Sequence, residues 1–472
     1  MPSHTRDETT RATTPGAPRH RFDMMAAMEG PAAAHQLGAA HPHPAPSGSD
    51  HSGSDHSGAE HESGDPETET RALLAELGTA LIATGQPVQE IEEELAEVSA
   101  RLGYPEVQSA VGPTGLMLAL TPGGPATYRS ATAGLRLHQA ASVRLIRHQL
   151  LHGELTIAGA REELAATATR PVQQPRWLVA LAWPVLAVGI ALILQPGWAN
   201  VAAAAVGALI VLALVQLAKR YEVVRALLPT LAAFAVSLAV FGAANAGLLE
   251  GPLRTVLPPL AVLLPGALVV NGMSELAAGH MQAGSARLTY GLAQLGLFAL
   301  GLLMATSLLR VPTPTLVNLR VDEIGWAGAP VGLLLVGASI CLMEGVPLRL
   351  QGWVLLVLSL AFGAQVAGQE LGSVALGGFF GAIAASLGAS IVELRRPLLP
   401  RLVLFLPAFW LLVPGSLGLV GVTELAAGRE SATDVALGLL GVAIAIALGL
   451  LVGSSVGRSL RGRLAAPVEA AG

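Results

Sequence analysis

Two stretches of this 472-residue sequence carry the same uncommon residues at the same spacing. Pro258, Pro265, Gly266, Ser274, Glu275, Leu276, Ala277, Ala278 and Gly279 recur as Pro407, Pro414, Gly415, Thr423, Glu424, Leu425, Ala426, Ala427 and Gly428, every pair 149 residues apart. Proline in an apolar run removes a backbone donor and crowds the preceding turn, and glycine tolerates non-helical angles, so each Pro-Gly pair is a place for a helix to break. In lipid the freed backbone groups need partners, so broken helices face a protein-lined cavity, and their half-helix ends hold a small charged solute. A kink that serves packing alone is the other use of each pair. Glu275 follows its break by about two and a half turns. If it is buried there, desolvation favours the neutral acid and lets it carry a proton, whereas at an interface it is an end charge facing water. Glu424, next to Arg429 and Glu430, reads as part of an exposed loop. Asn271 is an amide that must be paired in lipid, and it either faces the solute or ties helices together. His280 and Arg287 read as surface or headgroup contacts.

The chemistry suggested is binding and moving a solute, and the composition agrees. The chain is 52% hydrophobic and only 13% charged, with a mean hydropathy of +0.57, far from the roughly 25% charged residues of globular proteins. From Trp177 onward, ten apolar runs reach about 18 to 24 residues, enough to cross a hydrocarbon core of roughly 30 Å as helix. They lie near 177–195, 199–218, 226–246, 256–274, 287–309, 328–345, 351–369, 371–393, 401–423 and 435–456. With the amino end inside, eleven Arg and Lys fall in inner loops and tail against four in outer loops, which places both termini in the cytoplasm. The 149-residue offset also carries the first run onto the sixth. Five runs per repeat is odd, so the second copy enters the membrane from the opposite face, the inverted arrangement of many secondary transporters. Transmembrane repeats over 176–310 and 328–457 follow. A net charge of −5 gives no basic excess of the kind that nucleic-acid binding uses. The single cysteine, Cys341, leaves no disulfide framework and no cysteine-based zinc site, and neither a metal nor a cofactor is expected.

Residues 1–66 are rich in Ala, Pro, Ser, Gly and His and show no apolar periodicity, so they read as a disordered tail. Their His-Pro-His-Pro patch lacks the spacing of a defined metal site. Residues 67–175 have the pattern of a small soluble α/β domain. One stripe is Leu73, Leu74, Leu77 and Leu81, and another is Val88, Ile91, Leu95, Val98 and Leu102. Gly85-Gln86-Pro87 lies between them. Glu90, Glu92, Glu93 and Glu94 read as capping and solvated surface at a helix start. One or two short strands are expected over 107–120, then a turn at 121–125 and helices over 134–151 and 157–166. This segment has no Gly-x-Ser-x-Gly, no His-Glu-x-x-His and no phosphate loop, and His138, His148 and His152 read as surface histidines.

Leu264-Pro265-Gly266 through Asn271, Glu275, Gly279, Gly284 and Ala286-Arg287-Leu288 resembles the threonine/serine exporter family of bacterial inner-membrane proteins. Leu412-Val413-Pro414-Gly415-Ser416-Leu417-Gly418 does so in the second half. Leu81-Ile82-Ala83-Thr84-Gly85 and Leu102-Gly103-Tyr104 look like the family's hydrophilic amino-terminal segment. The resemblance covers about residues 68–456, and the family more often carries aspartate where Glu275 stands. It implies a ten-span inner-membrane exporter of threonine and serine driven by the proton gradient, with both termini cytoplasmic. Implied partners are the amino acid, protons and the bilayer. The implied substrate site comprises Pro265, Gly266, Asn271, Glu275, Pro414, Gly415 and Ser416, with Glu275 coupling protons. In this reading a half-helix end holds the carboxylate and Glu275 the ammonium. The alternatives are export of small dicarboxylates such as succinate, and a membrane-anchored hydrolase or sensor.

Overall fold

In the computed structural model, which describes residues 65–131, 134–170, 174–316, 319–395, 401–412, 421 and 432–469, the two leucine-rich stripes become helices packed face to face. The His-rich tail lies outside the described residues. Helix α1, Pro66–Ala83, starts at Asp65, whose side chain accepts from the Glu67 N–H, and proline takes its first position. Helix α2, Val88–Arg101, follows the Gly85-Gln86-Pro87 connection. Strands β1 (Gln108–Val111), β2 (Gly115–Ala119) and β3 (Ala126–Ser130) form an antiparallel sheet in that order, with Gln108 opposite Ala119 and Gly115 opposite Ser130. Leu116 and Leu118 face inward while Met117 between them is half exposed, the period of two that a one-sided sheet requires. Helices α3 (Leu137–His152) and α4 (Ile157–Thr169) complete the unit. Its core joins Leu73, Leu77, Ile91, Leu95, Leu118 and Ile146.

Two features of this unit differ from the expectation. Strand β3 was not expected, because its residues do not alternate in burial and Tyr128 is 65% exposed. The acidic run is not all solvated surface. Glu94 turns toward α3 with its Oε2 3.3 Å from Arg147 Nε, and burial pushes its carboxyl up while the arginine cations pull the other way.

From Arg176 onward, eight helices among the described residues are long and apolar enough to cross a membrane: Arg176–Leu194, Trp198–Ala218, Leu228–Asn245, Met281–Leu308, Gly325–Met343, Leu348–Leu371, Val374–Arg395 and Leu437–Leu460. The chain is an integral membrane protein of mostly helical fold. The first and fifth of these spans correspond end for end at 149 residues' distance. They contain, in order, α5 (Arg176–Leu194), α6 (Trp198–Ala218), α8 (Leu228–Asn245), α12 (Met281–Leu308), α13 (Gly328–Met343), α14 (Leu348–Leu371), α15 (Val374–Arg395) and part of α17 (Ala432–Glu469), with the short α7 (Glu222–Ala226) before α8.

The expected run at 256–274, which carries Pro258, Pro265 and Gly266, is not one continuous helix. Over 252–277 the chain forms two single-turn helices, α9 (Pro252–Thr255) and α10 (Leu257–Leu260), a non-helical stretch over 261–265, and then α11 (Gly266–Ala277). Pro258 and Pro259 have no N–H to donate to the carbonyls of Arg254 and Thr255, so α9 and α10 do not run on as one helix. Over 401–423, α16 is described over Arg401–Leu412, and Pro414 lies outside the described residues.

Helix α12 packs between α8 and α11, α5 packs on α13, and α15 on both α14 and α17. The α11–α12 pair is a tight hairpin. A Cβ on Gly272 would lie 2.7 Å from Leu288 N, and one on Gly284 2.7 Å from Leu276 N, so the backbones touch where both residues lack side chains. Gly279, at φ +91, makes the turn.

Candidate functional site

Helix α11 starts abruptly. Pro265 stands at its N-cap with φ −81 and ψ 38, outside helical space, and has no side-chain oxygen to cap the first turn. The first intrahelical bond runs from Val269 N to Pro265 O at 3.2 Å. The N–H groups of Gly266, Ala267 and Leu268 precede it and have no backbone carbonyl to donate to among the described residues. Pro265 and Gly266 are themselves buried. Three uncapped N–H groups at the positive end of a helix dipole suit a carboxylate.

Glu275 sits at the other end of α11. It is 2% exposed, and its Oε1 lies 3.0 Å from Arg287 Nη1 on α12. The same oxygen accepts from the backbone N–H of Val88 at 3.1 Å. Val88 is the first residue of α2, whose N-cap, Pro87, has no capping oxygen, so a carboxylate 187 residues away caps that helix. Glu275 Oε2 has no hydrogen-bond partner. Asn271, one turn back, donates to Gly85 O at 3.5 Å, and His280 Nδ1 stands 3.8 Å from Glu92 Oε2. Arg144 of α3 pairs with Glu393 of α15, and Ala283 at the start of α12 joins the amino-terminal unit's apolar core. The amino-terminal unit is therefore seated on the α11–α12 hairpin, with Gly85-Gln86-Pro87 against α11.

These positions divide the expected site in two. Pro265 and Gly266 lie at the start of α11 and Glu275 near its end, about 14 Å apart along nine residues of unbroken helix. One amino acid cannot hold its carboxylate on the first turn and its ammonium on Glu275 in this conformation. Asn271 reaches toward the amino-terminal unit rather than the break. Arg287 is not a headgroup contact. It is 8% exposed and neutralises Glu275, because the turn at Gly279 folds α12 back antiparallel and brings position 287 beside 275. That pairing could have been found from Glu275, Gly279 and Arg287 had 276–286 been read as a hairpin. Pro414, Gly415, Ser416 and Glu424 lie outside the described residues. No group of three or more His, Cys, Asp or Glu suited to a metal occurs among the described residues.

Glu275 and Arg287 thus tie α11 and α12 to the start of α2. A family model described as "ThrE: Putative threonine/serine exporter" matches residues 72–309. No curated protein and no solved structure gives a significant match. The matched stretch runs from within α1 to the end of α12, including the broken helix and most of the amino-terminal unit seated on it, and it spans half of the sequence, so the chain belongs to the threonine/serine exporter family.

Proposed function

We propose that this protein exports threonine and serine across the bacterial inner membrane, drawing on the proton gradient. The observation that carries this reading is the buried, uncapped first turn of α11 at Pro265–Gly266, within a family of exporters. In this proposal the substrate carboxylate rests on the N–H groups of Gly266, Ala267 and Leu268. The equivalent prolines at 258/407 and 265/414, and the span bounds repeated at 149 residues, support ten spans in two inverted groups of five, with Pro414, Gly415 and Ser416 completing the site. The arginine distribution supports cytoplasmic termini, which puts the amino-terminal unit over the inner mouth. Protons would be taken up on Glu275 once the amino-terminal unit withdraws Val88 from it.

Neutral backbone donors at one helix start suit a single carboxylate better than the two of a dicarboxylate. Cells preloaded with threonine, serine and succinate, with and without the protein, provide the test. Threonine and serine are expected to leave at least about tenfold faster with the protein, and succinate at an unchanged rate. Faster succinate efflux alone would replace the reading by the dicarboxylate one, and no change in any of the three would remove export.

A further inference from the structure

We propose that the amino-terminal unit braces the two halves of the membrane region together at the inner face, and that the Arg144–Glu393 pair is the end of this brace that lets go first when the inner mouth opens. This adds a restraint on transport to the exporter reading and rests on that reading.

The unit touches both halves. On the first, α5–α12, its 85–88 segment lies on α11 through Asn271 and Glu275, Glu92 stands 3.8 Å from His280, and Ala283 enters its core. On the second, α13–α17, the contact is made by α3, which uses two sides. Val143, Ile146 and Leu150 fill the unit's own core, while His138, Ala141 and Arg144, spaced by three, form a stripe on the other side. Arg144 pairs with Glu393 near the end of α15, and Ala141 packs against the membrane core. A Cβ on Gly345, in the turn between α13 and α14, would lie 3.0 Å from His138 Nδ1, and α3 also packs on α16. The contacts at 275–283, 345 and 393 all lie near helix ends that the Arg and Lys distribution puts on the inner side.

The two sets of contacts are joined inside the unit. Arg147, one turn from Arg144 on α3, stands 3.3 Å from Glu94 and pairs with Glu97, both on α2, the helix whose start rests on Glu275. A line of contacts therefore runs from α11 through α2 and α3 to α15, and the halves cannot part at the inner face unless one set breaks. The set on the second half is the weaker. The Glu275 and Arg287 side chains are 1% and 8% exposed, and the same carboxylate caps α2. Arg144 is 27% exposed, so water replaces its partner as the pair opens, and such a pair costs less to break than a buried one. Alternating access moves one half of a transporter against the other, so the brace restrains the step that opens the inner mouth.

The test is maleimide labelling of single cysteines in the full-length, detergent-solubilised protein, with Cys341→Ser as background. Ala141→Cys reports on the α3 stripe and Asn271→Cys on the contact with α11. Glu393→Arg sets two cations against each other and is expected to speed labelling at 141 by at least about threefold while labelling at 271 keeps its rate. Glu393→Gln, the milder change, should act in the same direction and carries the comparison if Glu393→Arg does not fold. Adding Arg144→Glu to Glu393→Arg restores an ion pair, and labelling at 141 should slow again. Threonine counterflow in proteoliposomes, measured without the reporter cysteines, should rise by at least about twofold in Glu393→Arg and return in the double variant. Unchanged labelling at 141 in a folded variant would overturn the proposal, as would equal acceleration at 141 and 271, the mark of a unit that has come away or unfolded. Faster labelling at 141 with counterflow unchanged or lower would overturn it too. If the wild type carries no threonine, the exporter reading fails and the restraint on transport with it, while labelling still decides whether the brace exists. If it does and labelling at 141 ignores Glu393, the brace fails alone.

Discussion

Replacing Pro265 and Gly266 together by alanine is expected to abolish threonine transport while leaving the protein folded and more stable. In a helix interior, proline costs about 3 kcal/mol and glycine about 1 kcal/mol relative to alanine. The double variant can extend α11 backward through 261–265 into α10, joining pieces that are now separate. In doing so the N–H groups of Gly266's successor, Ala267 and Leu268 gain carbonyl partners one turn back, and the anion site closes. Counterflow should fall by at least about tenfold, with an apparent Tm at or above wild type. Wild-type rates in a folded double variant would reduce the break to packing.

The second large effect concerns the anchor. Glu275 and Arg287 are both almost fully buried, so removing either partner leaves an uncompensated charge, at a cost of about 3–5 kcal/mol. Glu275→Ala also deprives the Val88 N–H of its acceptor and α2 of its cap. Unfolding of the detergent-solubilised protein should show each single variant, Glu275→Ala and Arg287→Ala, strongly destabilised. The double variant should be destabilised by less than the sum of the singles, with a coupling of about 0.5–3 kcal/mol. Additive losses would show that the two residues act independently.

Much of this arrangement is legible in the sequence, and the rest is hidden for physical reasons. Run length picks out ten stretches, and the eight spanning helices among the described residues fall on eight of them, because a backbone in lipid satisfies itself as helix. Pro265-Gly266 marks the break in the fourth run, since proline's missing donor acts locally. The partners of Glu275 are another matter. Val88 is 187 residues away and Arg287 lies across a turn, so no spacing rule connects them before the chain is folded. For the same reason the substrate role expected for Glu275 meets a carboxylate already engaged by two donors. Strand β3 is missed because an edge strand with exposed Tyr128 has no alternation to read.

The central claim is that the start of α11 receives the exported amino acid, and chemical labelling at that turn tests it most directly. The chain's one cysteine, Cys341, is buried, so with Cys341→Ser as background, Ala267→Cys places a single thiol on the first turn of α11. Trp326→Cys, at a residue 89% exposed and outside α11, serves as control. With a small maleimide, threonine and serine are expected to slow labelling at 267 by at least about threefold at saturation, while succinate does not slow it and labelling at 326 stays constant. Labelling at 267 that ignores threonine in a protein that still transports it, or that slows equally at both positions, would contradict the account.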